Sequence, residues 1–211
     1  MMASIGSMTK VNNNWMTFRS TVIFVAFICM IISTLGAQTF EKDHRRHTMG
    51  VMVSQGGQAL LDVQYRYLVT LLQAEYQFSV LRKGSWQFHL MAQPHYGISR
   101  FNFDNADPVN ASGYEVGLNL GLQLEREIRG TNAAIYMGAG TGPHYLSEAT
   151  HRQSEGLIFS SNLFMGITYR FSAMYELDLR TAFRHISNAG LQLPNGGINN
   201  SLVGVGLFRR L

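Results

Sequence analysis

The chain has 211 residues and one cysteine, Cys29, which lies inside an apolar run near the N-terminus. Beyond that run there is no thiol, hence no disulfide and no cysteine metal site. Charge is also scarce. Only 14% of residues are Asp, Glu, Lys or Arg, and no basic run is present, which argues against nucleic acid as a partner. No long stretch follows a helical period. The apolar run itself, from about Val22 to Ile32, is shorter than the roughly 20 residues a spanning helix needs.

Lys10 and Arg19 are the only charges ahead of that run, and Ser-Thr-Leu-Gly-Ala follows it. This is the pattern of a secretory signal peptide, with cleavage expected after Ala37; the competing reading is a retained membrane helix. The expected organisation is a signal peptide over residues 1–37 and a single domain over 38–211. Without Lys10 and Arg19 the excess of 17 basic over 13 acidic residues shrinks, so the exported domain is close to neutral.

What the domain does have is alternation of period two. Tyr114, Val116, Leu118, Leu120, Leu122 and Leu124 alternate with Glu115, Gly117, Asn119, Gly121, Gln123 and Glu125. The same pattern runs through Leu61, Val63, Tyr65, Tyr67 and Val69, then through Leu72 to Val80, Trp86 to Ala92, and Phe159 to Phe171. Weaker versions cover about 48–53, 132–141 and 200–208. Turn residues separate the runs at Arg82–Ser85, Arg129–Asn132 and Phe171–Ala173, and longer polar connections stand near Asn102–Ser112 and Pro143–Gly156. About eight or nine strands of this length, with short turns alternating with long loops, predict an all-β transmembrane antiparallel up-and-down barrel of about eight strands. A water-soluble barrel with an apolar interior is the competing architecture. It is disfavoured by aromatics near strand ends, by the Glu, Arg, Gln and Gly mixture on the polar face, and by uncharged apolar faces. Apolar positions are therefore expected to face lipid and polar ones the lumen, with closure satisfying the backbone. A porin is disfavoured, because about eight strands leave an interior that side chains fill.

The run from Tyr175 ends in chemistry. Tyr175, Leu177, Leu179, Thr181 and Phe183 share a face with His185 and Ser187, while Glu176, Asp178, Arg180 and Arg184 take the other. A base and a hydroxyl thus leave from an apolar stripe at a strand end. The text continues His185-Ile186-Ser187-Asn188-Ala189-Gly190 and then Pro194-Asn195-Gly196-Gly197-Ile198-Asn199. Over about fifteen residues this resembles the PagL family, the lipid A 3-O-deacylases.

The resemblance implies an eight-stranded barrel in the outer membrane of a Gram-negative bacterium. Its active site would open on the outer wall, and its substrate would be lipid A of lipopolysaccharide. Carried over by position, Ser187 is the nucleophile and His185 the general base. Asn195 matches the oxyanion-stabilising asparagine, with Asn188 and Gly190 shaping the loop. Phe183 and Leu179 would lie against the acyl chains. The family's histidine-orienting acid falls on Asn199, which accepts a hydrogen bond but lends less charge stabilisation. Glu148 or Glu155 could replace it only if their loop lies at the same rim, whereas Glu176 and Asp178 face the wrong way. A non-catalytic structural barrel and a phospholipid esterase are the alternatives.

The other histidines are read more plainly. His144 and His151 are taken as solvated loop residues, and His44 and His47, with Arg45 and Arg46, as a solvated tether. His89 and His95 stand on a Gln-rich face without a carboxylate set. No metal and no cofactor are expected, and no residue pattern specifies an oligomeric state.

Overall fold

The computed structural model describes residues 46–58, 65–102 and 111–211. The expected signal peptide, His44 with Arg45, residues 61–64 and most of the Asn102–Ser112 connection lie outside them. The described residues form eight strands: β1 (His47–Gln58), β2 (Tyr67–Lys83), β3 (Trp86–Phe101), β4 (Ala111–Glu127), β5 (Ala133–Leu146), β6 (Gly156–Arg170), β7 (Tyr175–Ser187) and β8 (Ile198–Arg210). Each pairs antiparallel with the next, and β1 pairs with β8 to close the barrel. Among the described residues closure leaves no edge strand, so neighbouring strands satisfy each other's backbone groups without water.

The three short turns and both barrel ends, His47 and Leu211, share one rim; the Leu211 N–H donates to the His47 carbonyl at 2.8 Å. The long connections, including 147–155 and 188–197, occupy the other. In outer-membrane barrels the short turns face the periplasm and the long loops the exterior. Tyr96, Tyr114 and Tyr145 pack ring on ring outside the long-loop end, at 6.3 and 6.2 Å, while Trp86 and Phe171 stand exposed at the other end. These are the two interfacial belts.

The faces fall as the alternation predicts over most of the wall. On β4, Val116, Leu120 and Leu122 are exposed while Glu115, Asn119, Gln123 and Glu125 are buried. Two ionic layers centred on β7 arginines stack in the lumen. In the lower one, Arg180 donates to Glu75 through both terminal nitrogens, at 2.6 and 3.0 Å, and to Asp178 at 3.2 Å and the Tyr136 hydroxyl at 2.8 Å. In the upper one, Arg184 reaches Glu115 at 2.7 and 3.3 Å, and Glu115 also accepts from His144 and Tyr67. A buried guanidinium is tolerated only with such complete pairing.

Three expectations are corrected. The runs around Tyr65–Val69 and Leu72–Val80 were expected to present their apolar residues to lipid as separate alternations. The end of the first run and all of the second belong to β2, and Tyr65 just ahead of it, Tyr67 and Val69 face inward, with Phe101, Leu146, Ile158, Ile186 and Ile198 around them. This apolar plug fills the lumen above the ionic layers, so the change of hydrophobic phase marks the plug's lower border and no turn. His144 is not a loop residue: it is buried on β5 and its Nδ1 lies 2.9 Å from His95 Nε2. Gly117 makes room for the pair, since a Cβ there would stand 2.6 Å from both histidine rings. His47 is no tether. It opens β1, and its Nδ1 lies 2.6 Å from the Tyr76 hydroxyl.

Candidate active site

β7 alternates through its last residues: Arg184, Ile186 and Asn188 are buried, whereas His185 and Ser187 are half-buried on the outer face. The imidazole and the hydroxyl therefore stand together on the lipid-facing wall, at the long-loop rim. Residues two apart in a strand lie about 6–7 Å from each other along it.

Across the rung, His185 and Asn199 are register partners of β7 and β8. His185 Nδ1 lies 2.7 Å from Asn199 Oδ1. An amide oxygen only accepts, so in the neutral ring this contact favours the tautomer with the proton on Nδ1 and the lone pair on Nε2.

The 188–197 loop returns the chain from β7 to β8 through a set of asparagine bonds. Asn188 Oδ1 accepts from the Gly190 N–H at 3.0 Å, and Asn188 Nδ2 donates to Ser154 Oγ at 2.7 Å and to the Gln192 carbonyl at 2.5 Å. Ala189 and Gly190 both take positive φ, 56° and 83°, the left-handed conformation that makes this reversal possible. Asn195 Oδ1 accepts from the Asn188 N–H at 3.1 Å, which fixes the amide so that its Nδ2 hydrogens are the remaining donors. Gly197, at φ 64°, lies against the histidine ring: a Cβ there would be 2.7 Å from His185 Cε1.

With this geometry in view, the comparison of sequences decides the family. The family model for lipid A 3-O-deacylase (PagL) matches residues 72–208, well over half of the chain. The chain belongs to the PagL family. A search of curated proteins finds no match in sequence. Among solved structures, the outer membrane enzyme PagL is similar at 16% identity and a TM-score of 0.56, covering 74% of this chain and 97% of its own. Neisserial surface protein A is similar at 9% identity and a TM-score of 0.50, covering 78% of this chain and 96% of its own. At these identities the likeness speaks to fold, that of outer-membrane barrels, and the family match speaks to lipid A deacylation.

All the residues that the PagL resemblance singles out in the hairpin fall within one loop and two strand ends: His185, Ser187, Asn188, Gly190, Asn195 and Asn199. Phe183 and Leu179 lie on the outer face below them, half-buried. Phe183 borders a shallow apolar depression of about 620 Å³ that Leu122, Leu163, Met165 and Thr181 also line; Leu179 stands outside it. The 147–155 loop does lie at the same rim, yet Glu148 and Glu155 are exposed there and the Nδ1 partner of His185 is Asn199. Glu176 and Asp178 are buried in the lumen, as expected.

The sequence reading passed over Arg152 and Ser154 in favour of the acids beside them. Both hold the 188–197 loop, Ser154 through Asn188 and Arg152 through the Gly196 and Gly197 carbonyls. A usable signal was the topology. In a meander, the β5–β6 and β7–β8 connections must emerge at the same end, so any polar residue of one loop is within reach of the other.

Proposed function

We propose that this member of the PagL family hydrolyses the ester that carries the 3-O acyl chain of lipid A, by a serine–histidine mechanism. In this reading, Ser187 Oγ attacks the ester carbonyl while His185 Nε2 takes its proton, which turns a poor nucleophile into a competent one at neutral pH. The carbonyl oxygen becomes an oxyanion, and the Nδ2 hydrogens of Asn195 supply a donor that needs no rearrangement as the charge develops. Collapse breaks the bond to the sugar oxygen, which leaves as the alcohol with the proton from His185. Water, deprotonated by the same imidazole, then releases the hydroxy fatty acid and restores Ser187.

The observation that supports this most is the bond from His185 Nδ1 to Asn199 Oδ1. It holds the tautomer in which Nε2 is the base, on the outer face where an acyl chain in the outer leaflet arrives from the side. Asn199 is neutral, so the imidazolium gains orientation from it and little charge compensation. The lipid-facing position also explains the apolar stripe: acyl chains can lie along Phe183 and Leu179 without leaving hydrocarbon.

The experiment is a mass spectrum of lipid A from cells that express the protein. Loss of one 3-hydroxyacyl mass, absent from cells with Ser187→Ala, is the expected result. An unchanged lipid A profile beside Ser187-dependent release of fatty acid from phospholipid would redirect the chemistry. No Ser187-dependent hydrolysis of either ester would leave a structural barrel.

A further inference from the structure

We propose that Arg152, on the β5–β6 connection, is a positioning residue that sets the His185 ring through the Gly196–Gly197 backbone; the inference rests on the esterase reading above. Arg152 sits in a tight turn in which the Thr150 N–H donates to the Gln153 carbonyl at 2.7 Å and the Gln153 N–H to Thr150 Oγ1 at 2.9 Å. From there its guanidinium donates twice into the other loop, Nε to the Gly197 carbonyl at 3.0 Å and Nη2 to the Gly196 carbonyl at 2.6 Å. Its own carbonyl accepts from the Gly196 N–H at 2.7 Å. The strands of contact continue on either side, with Gln153 bridged to Asn195 and the Ser154 N–H donating to the Pro194 carbonyl at 2.9 Å.

Two consecutive glycines are the least constrained backbone a chain can have. Here they stand between the oxyanion candidate Asn195 and the first residues of β8, and Gly197 faces the imidazole so closely that an added Cβ would stand 2.7 Å from His185 Cε1. A planar fork that engages two neighbouring carbonyls fixes both peptide planes at once, which a lysine ammonium, as a single point donor, does not reproduce. β7 and β8 are tied by their own ladder and by Arg184 beneath it. Removing the Arg152 fork therefore releases the Gly196 and Gly197 carbonyls without opening the barrel, while the backbone bonds between the two loops remain, and the backbone facing the imidazole loses its fixed orientation.

The test uses the whole barrel refolded in detergent, as wild type, Arg152→Ala and Arg152→Lys. Nitrogen-15 spectra report the histidine tautomers, the His185 signal being the one missing from His185→Gln. The wild type is expected to show one Nδ1–H tautomer and Arg152→Ala a mixture. On lipid A, kcat of Arg152→Ala should fall about tenfold to a hundredfold with KM nearly constant, and Arg152→Lys should recover part of the loss. An Arg152→Ala spectrum identical to wild type overturns the inference whatever the rate, as does an altered spectrum with unchanged kcat. If no form hydrolyses lipid A, the esterase reading fails while the spectrum still decides whether Arg152 sets the ring. Should Arg152→Ala not refold, Arg152→Lys carries the same readouts, with a smaller change expected and no change overturning the claim.

Discussion

Arg184 donates to a single atom of Asn200 twice, from Nε at 3.2 Å and from Nη2 at 2.8 Å, inside the barrel and one rung from the His185–Asn199 pair outside it. Consecutive residues of β7 thus do opposite work. Arg184 fastens β7 to β8 from the lumen, and His185 faces lipid with its partner Asn199. The outer pair inherits its register from the inner one.

The inner fastening depends on charge balance. Glu115→Ala leaves the Arg184 guanidinium buried without its carboxylate, which should cost about 3–5 kcal/mol. Urea unfolding of the refolded barrel, followed by its heat-dependent gel shift, measures this. A loss below about 1 kcal/mol would mean that water or another group takes over the charge.

In the proposed mechanism Asn199 takes the place of the histidine-orienting acid, and its substitution separates orientation from charge. Asn199→Ala removes the acceptor of the Nδ1 proton, an interaction of about 1.5–3 kcal/mol when the ring is charged, so kcat should drop by about ten- to a hundredfold. Asn199→Glu restores an acid and should raise kcat above wild type, with a new loss of activity as the carboxylate protonates at low pH. Steady-state rates on lipid A across pH check both. Equal rates in all three proteins would remove Asn199 from the mechanism.

Much of this was legible in the text of the chain, for a physical reason. A wall one residue thick, lipid on one side and lumen on the other, writes its two faces into alternate letters, so Leu118, Leu120 and Leu122 needed no coordinates to be turned outward. The alternation misleads at Tyr65, Tyr67 and Val69, because polar residues mark the lumen only where the lumen is polar. At the long-loop end an apolar plug fills it, and both faces of β2 read as apolar there. His144 was misplaced because β5 carries glycines on its inward face and its alternation is faint. The hairpin residues were legible as a motif. Arg152 was not, because its role is to meet two carbonyl oxygens, and backbone atoms have no letter.

Gly197 tests how closely the ring is packed. An added Cβ would meet His185 Cε1 at 2.7 Å and would also carry φ 64°, a strain of about 1–3 kcal/mol. Gly197→Ala should therefore depress kcat far more than it lowers the unfolding midpoint, since the loop lies above the ladder. A parallel fall in both would point to general loosening of the hairpin.

The outer face is predicted to tolerate no central charge. Leu120, exposed on the middle of β4, becomes a lipid contact in the bilayer, and Leu120→Arg should cost about 2–4 kcal/mol when unfolding is measured in vesicles. A cost near zero would argue that this face does not meet hydrocarbon.

In the proposed mechanism Ser187 carries the acyl group for part of the cycle, and rapid quenching of the purified barrel with lipid A is the decisive experiment. Mass spectrometry of the digested protein should find the peptide containing Ser187 heavier by one hydroxyacyl group, with neither adduct nor free hydroxy fatty acid in Ser187→Ala. Release of the same fatty acid by Ser187→Ala at the wild-type rate would contradict it.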